Sequence, residues 1–198
     1  MYGMAISGPK ADLLRYLNQG RDGLLSKLDG LSIFDARRPM TPTATNILGL
    51  VKHVAGVQSG YFGETFGRPF PEHLAWEEAG AEIDDDLWAR PDESVEDIVG
   101  LFRRNCAHAD STIESLPLDA IGRVPWWPED RSEVTLHRVL VHVIAEVARH
   151  AGQADIIREL IDGTAGLAGP GNNLAERTAA EWKAYRDKVE AAAREASS

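Results

Sequence analysis

The sequence predicts an all-α protein, an antiparallel four-helix bundle with an additional C-terminal helix. Three observations carry that prediction. Apolar residues recur every three or four positions along four long stretches, the period of a helix with one buried face. Glycines and prolines break the chain between those stretches rather than inside them. No strand-like alternation exceeds about four residues, and there is no internal repeat or low-complexity tract.

The first helix is expected over Lys10 to Leu28, after Gly8-Pro9, with Leu13, Leu14, Leu17, Leu24, Leu25 and Leu28 as its stripe and Gly30 as its stop. Ser32 to Thr43 reads as a connector in which Pro39 and Pro42 prevent regular helix. A second helix follows over Ala44 to Phe66, closed by Gly67 and Pro69. Gly67 to Glu93 is irregular, with an acidic run from Glu82 to Asp86 that reads as solvated loop. A structureless loop of that length is uncommon inside a compact domain, so it should hold a short helical turn. Ser94 and Asp97 have the spacing of a capping box, opening a third helix that runs to Leu116. A second loop, Pro117 to Glu133, carries Trp126-Trp127-Pro128. The fourth helix, Thr135 to Gly163, is the clearest: Thr135 suits an N-cap and Gly163 a left-handed C-cap. A last helix, Leu174 to Ala193, is weakly apolar. The expected division is a bundle over 1–165 and a helical extension over 166–198, packing on or beside it. The bundle core is where helices commonly build side-chain metal sites.

Composition narrows the class. At 198 residues with 43% hydrophobic content, the chain suits one domain with a substantial core. A net charge of −10 without a local basic cluster argues against nucleic-acid binding. One cysteine, Cys106, excludes an intramolecular disulfide and reads as a small core residue; a cytoplasmic location is expected. The N-terminus lacks the pattern of a secretory signal, and no run of 18 apolar residues suggests a membrane span.

Chemistry concentrates on the fourth helix. His142, Glu146 and His150 are spaced four apart, so they project in roughly one direction beside the apolar stripe. A glutamate between two histidines in that position is costly unless paired or metal-bound. An i, i+4 pair can take two sites on an ion, and a third ligand must then come from a facing helix, where His53 is the only histidine of the second helix. On spacing alone the set reads equally as metal ligands or as satisfied core and surface groups.

The run NILGLVKHVAGVQSGYFG, Asn46 to Gly63, resembles the second helix of the DinB-like superfamily. It is most similar to the actinobacterial branch with mycothiol-dependent maleylpyruvate isomerase and the mycothiol S-transferases. HVIAEVARHAGQADIIRELIDG, His142 to Gly163, continues the match, as do DESVEDIVGLFRR and LPLDAIGRVPWW between them. The resemblance implies a divalent metal held by one ligand from the second helix and an i, i+4 pair from the last core helix. Carried onto this sequence, these are His53, Glu146 and His150, with His142 one turn beyond. Gln58 and Gln153 depart from residues common in relatives, glutamate and histidine respectively.

Two imidazoles and a carboxylate make zinc the first choice of metal, with nickel, iron or manganese compatible. The implied reaction is attack by a low-molecular-weight thiol, mycothiol as cosubstrate, on a small-molecule electrophile. Trp126 and Trp127, which either roof the site or plug the bundle end, and Arg158, from an ion-pair set with Asp155 and Glu159, are the candidate cofactor-binding residues. No separate catalytic base is legible, and a homodimer is compatible with the reading. Two alternatives stand beside it: a metal-dependent hydrolase that activates water, and a non-catalytic metal- or ligand-binding stress-response protein.

Overall fold

The computed structural model describes residues 8–167 and 171–197. The first seven residues of the expected bundle domain, and residues 168–170 and 198 of the expected extension, lie outside them. The four long stretches form the bundle: α1 (Pro9–Ser26), α3 (Ile47–Gln58), α4 (Val95–Ser115) and α6 (Leu136–Asp162), with α1 packed on α6 and α3 packed on both α4 and α6. Leu17, Leu24, Leu48, Val54, Phe102, Ile113, Leu140 and Val147 are all but inaccessible in one continuous core. Burying each such side chain favours folding by roughly 1.5–3 kcal/mol.

Local signals set the helix ends. Ser94 accepts from the Asp97 amide and Asp97 returns a bond to the Ser94 amide, so the capping box is complete. Thr135 accepts from the Arg138 amide, and Gly163 ends α6 at φ 79°, a region glycine enters without a Cβ penalty.

Three parts differ from the sequence reading. Ile33–Arg37 is a short helix, α2, because Ser32 caps it and Pro39 stands beyond its last turn, where it removes no helical bond. The second helix is not α throughout: past Gln58 it widens into a π turn, Ser59–Gly63, and then tightens into a 3₁₀ turn, Glu64–Phe66, before Gly67 closes it at φ 66°. The Trp126–Trp127 loop holds a two-stranded antiparallel ladder, β1 (Ile121–Arg123) and β2 (Glu133–Thr135), with Gly122 opposite Val134, around the one-turn α5 (Glu129–Ser132). Three-residue strands are too short to show alternation in sequence.

The 67–93 segment contains two 3₁₀ turns, Ala75–Glu77 and Asp85–Leu87. The last helix, α7 (Ala179–Ala196), buries none of its residues; Arg177 sits over the rings of Trp182 and Tyr185 at 4.5 and 4.4 Å. Among the described residues no helix is long and apolar enough to cross a membrane.

Candidate functional site

The site begins with how closely α3 approaches the Asp85–Leu87 turn. Gly49 makes the approach possible: a Cβ there would stand 1.8 Å from the Leu87 carbonyl oxygen. Asn46, the N-cap of α3, accepts from the Gly49 amide at 2.7 Å and donates to Leu87 O at 3.1 Å. Lys52, 1% exposed, donates to the carbonyls of Asp85 (3.1 Å) and Trp88 (3.0 Å) and pairs with Glu93 at 2.8 Å. A buried ammonium needs such partners, and here they fasten the turn to the helix.

That clamp delivers Asp86 to His53. Asp86 Oδ2 lies 2.6 Å from His53 Nδ1, and this bond is the main cause that holds the Asp86 carboxyl below its ordinary range, so it is ionised. Part of the acidic run is therefore not solvated loop. Asp85, 5% exposed, pairs with Arg90 at 2.8 Å, and Asp86 braces a histidine.

Across the bundle, α6 presents His150, whose ring meets that of His53 edge-on at 4.9 Å between centroids. His150 Nδ1 is 2.8 Å from Gln153 Oε1, and its Nε2 is 3.5 Å from Glu146 Oε2. With the Gln153 oxygen as acceptor, the His150 proton sits on Nδ1 and the Nε2 lone pair faces Glu146. Burial pushes the His150 pKa down, which keeps the ring neutral at physiological pH. The fold thus brings His53, Glu146 and His150 together and adds Asp86.

Among the described residues, no three histidine, cysteine or acidic side chains stand in a closed ligand set. The donors nevertheless fit a divalent ion. Each imidazole uses Nδ1 on an oxygen partner and keeps Nε2 free of one, with a carboxylate adjacent. Such oxygen partners fix the ring orientation and tautomer of a ligating histidine.

These groups open into a cleft of about 610 Å³. Its aromatic wall rests on two glycines one turn apart. Trp76 lies against Gly56, where a Cβ would be 3.1 Å from the indole nitrogen, and Trp126 lies against Gly60, where the contact would be 2.7 Å. Tyr61, on the π turn, packs against His142 (4.7 Å between centroids) and Trp126 (5.1 Å), and its hydroxyl accepts from Trp127 Nε1 at 3.1 Å. Glu64, Glu77, Asp86 and Glu146 also line the cleft. Burial, and next the charge of Glu64, push the Glu77 carboxyl up.

Of the residues expected to bind the cosubstrate, Trp126 lines this cleft, and Trp127 stands behind it on Tyr61 and His142. Arg158 is elsewhere. It is buried, donating to the Lys27 and Asp29 carbonyls at the end of α1 and to Asp162, so it ties α6 to α1. Cys106 packs beside Gln58 with its thiol pKa pushed up by burial, as suits a core residue. Sequence reasoning missed Tyr61, Trp76, Glu64, Glu77 and Asp86. The signal that pointed to the aromatic seats was the pair Gly56 and Gly60, four apart inside a helical pattern.

Comparison with known proteins agrees with this architecture. No curated protein matches the sequence. A conserved protein from Enterococcus faecalis, known as a crystal structure, shares the fold with a TM-score of 0.57 at 16% identity, covering 80% of this chain and 99% of that one. At that identity the likeness concerns the fold alone. The sequence profile described as mycothiol-S-transferase matches residues 12–163, from α1 to the C-cap of α6. That span includes every residue of the cleft, and on it the chain belongs to the mycothiol-S-transferase family.

Proposed function

We propose that this protein is a divalent-metal-dependent transferase that joins mycothiol to a small electrophile in the 610 Å³ cleft. The observation that carries the proposal is the meeting of His53 from α3 with Glu146 and His150 from α6, each imidazole braced through Nδ1. His53, Glu146 and His150 would hold the ion, zinc by preference for two nitrogens and one oxygen. When bound, such an ion supplies positive charge that lowers a thiol's pKa into the neutral range.

The chain's own groups do the remaining work. Asp86 and Gln153 hold the two rings in one orientation. Tyr61, Trp76 and Trp126 offer flat apolar faces on which the electrophile can lie and from which water is excluded. The thiol proton leaves to solvent, the sulfur forms a bond to the electrophilic carbon, and the leaving group departs with its bonding electrons. Placing both reactants in one cleft makes the encounter effectively intramolecular. A thiol cosubstrate and an unpaired Cys106 suit a reducing cytoplasm.

The test is metal analysis of the purified protein followed by mycothiol consumption over a panel of alkyl halides and epoxides. Metal-dependent thiol loss is the expected result. Turnover that proceeds equally without thiol would replace this reading with a hydrolase.

A further inference from the structure

The cleft holds four carboxylates, Glu64, Glu77, Asp86 and Glu146, and neither lysine nor arginine is among its lining residues. Asp86 and Glu146 are engaged with the histidines. Glu64 and Glu77 are not: among the described residues neither accepts a hydrogen bond or forms an ion pair, yet they stand close enough for each charge to disfavour the other. The Trp76 indole lies between them in sequence and lines the same wall. Lys52, the ammonium nearest that indole at 4.8 Å, is taken up by Glu93 and two carbonyls. A divalent ion at the histidines would offset only two of the four negative charges, and a thiolate would restore one.

Two uncompensated carboxylates beside an aromatic face favour a cation, by charge and by the ring quadrupole, and repel an anion. We propose that Glu64, Glu77 and Trp76 set the electrophile specificity of the cleft: it takes electrophiles carrying a positive charge near the reacting carbon and rejects carboxylate-bearing ones. This rests on the transferase reading above and names the substrate class for the same site. The chemistry is displacement: the thiol sulfur bonds to carbon, the carbon–halogen bond breaks, halide leaves with the electron pair, and the thiol proton passes to water.

The experiment compares three N-substituted 2-chloroacetamides of equal arm length, ending in trimethylammonium, an uncharged tert-butyl group or carboxylate. Mycothiol is the thiol, the protein is metal-loaded, and the enzyme-free rate is subtracted. The ratio of kcat/KM for the cationic over the anionic compound should be at least about tenfold, and should shrink as ionic strength rises. Glu77→Gln should lower that ratio and Glu77→Lys should invert it; Glu64→Gln repeats the test if either fails to fold. A ratio near one in the wild type, or one unmoved by these substitutions, overturns the assignment while leaving thiol transfer to the uncharged compound intact. Absence of turnover with all three compounds would instead sink the transferase reading. In that case binding of the chlorine-free acetamides, followed by tryptophan fluorescence, still decides charge selectivity: tighter cation binding supports it, equal binding refutes it.

Discussion

Two polar clusters sit inside this bundle, and they are built to opposite ends. Near its middle, Arg21 of α1 donates to Gln58 of α3 at 2.6 Å, to Asn18 at 2.7 Å and to Asp110 of α4 at 2.7 Å. Gln58 is fully buried and Arg21 is 3% exposed, so the cluster is closed and its links run between helices. One donor there, Arg21 Nη2, is buried without a partner. One turn earlier on α3, His53 joins Asp86, Glu146 and His150, but this cluster faces a cleft and leaves both Nε2 atoms without a hydrogen-bond partner. The first group uses nearly all its hydrogen-bonding capacity on the fold; the second keeps part of its capacity for something outside the chain. A buried polar residue on a bundle helix is thus not a functional signal in itself. Its unused valence is.

The sharpest break between the two comes from removing ligands. His53→Ala or His150→Ala should abolish bound metal, read by mass spectrometry, and lower thiol transfer by roughly two to three orders of magnitude, while the fold stands on its apolar stripes. Arg21→Met should do the reverse. It strands Gln58 and Asp110, costing about 3 kcal/mol, or roughly a 6–12 °C fall in Tm, with metal content per folded chain unchanged. Asp86→Asn tests whether the brace matters: metal affinity should weaken about 10–100-fold with little change in Tm. Unchanged affinity would make Asp86 a bystander.

The smallest effect concerns Asp162, whose pKa is lowered to about 2, chiefly by its bond to Arg158. A depressed acid contributes stability above its unfolded pKa and loses it as pH falls through the folded value. That contribution should be complete above about pH 4 and fade towards pH 2. Partial exposure limits it to under about 1 kcal/mol. Asp162→Asn should flatten this limb of a pH–Tm curve.

How much of this the sequence carried depends on the distance between cause and effect. The ends of α4 and α6 were legible because Ser94–Asp97, Thr135 and Gly163 act within a few residues. The pairing of Glu146 with His150 was legible because the helical repeat alone places them together. Asp86 was not, since its role depends on His53, 33 residues away, and on a glycine that admits the turn. Arg158 read as a ligand-binding candidate because a lone cation on a functional helix looks available; the α1 carbonyls that occupy it are about 130 residues distant, 131 for Lys27 and 129 for Asp29. Cleft residues Tyr61 and Glu64 escaped for a different reason: a pure α reading of Ala44–Phe66 assigns wrong faces to everything after Gln58.

The π turn also makes the cleft sensitive to chain length. A π turn holds more residues than an α turn, so deleting one residue within Ser59–Gly63 allows the helix to continue as α without losing its backbone bonds. Each α residue advances the side-chain direction by about 100°, so such a deletion would swing Tyr61 and Glu64 off the cleft together. The seat of Trp126 at Gly60 would turn away with them. One codon removed here would redraw a wall that several point substitutions could only trim, which makes this turn the place where insertions and deletions, rather than replacements, should most readily retune which molecules the protein accepts.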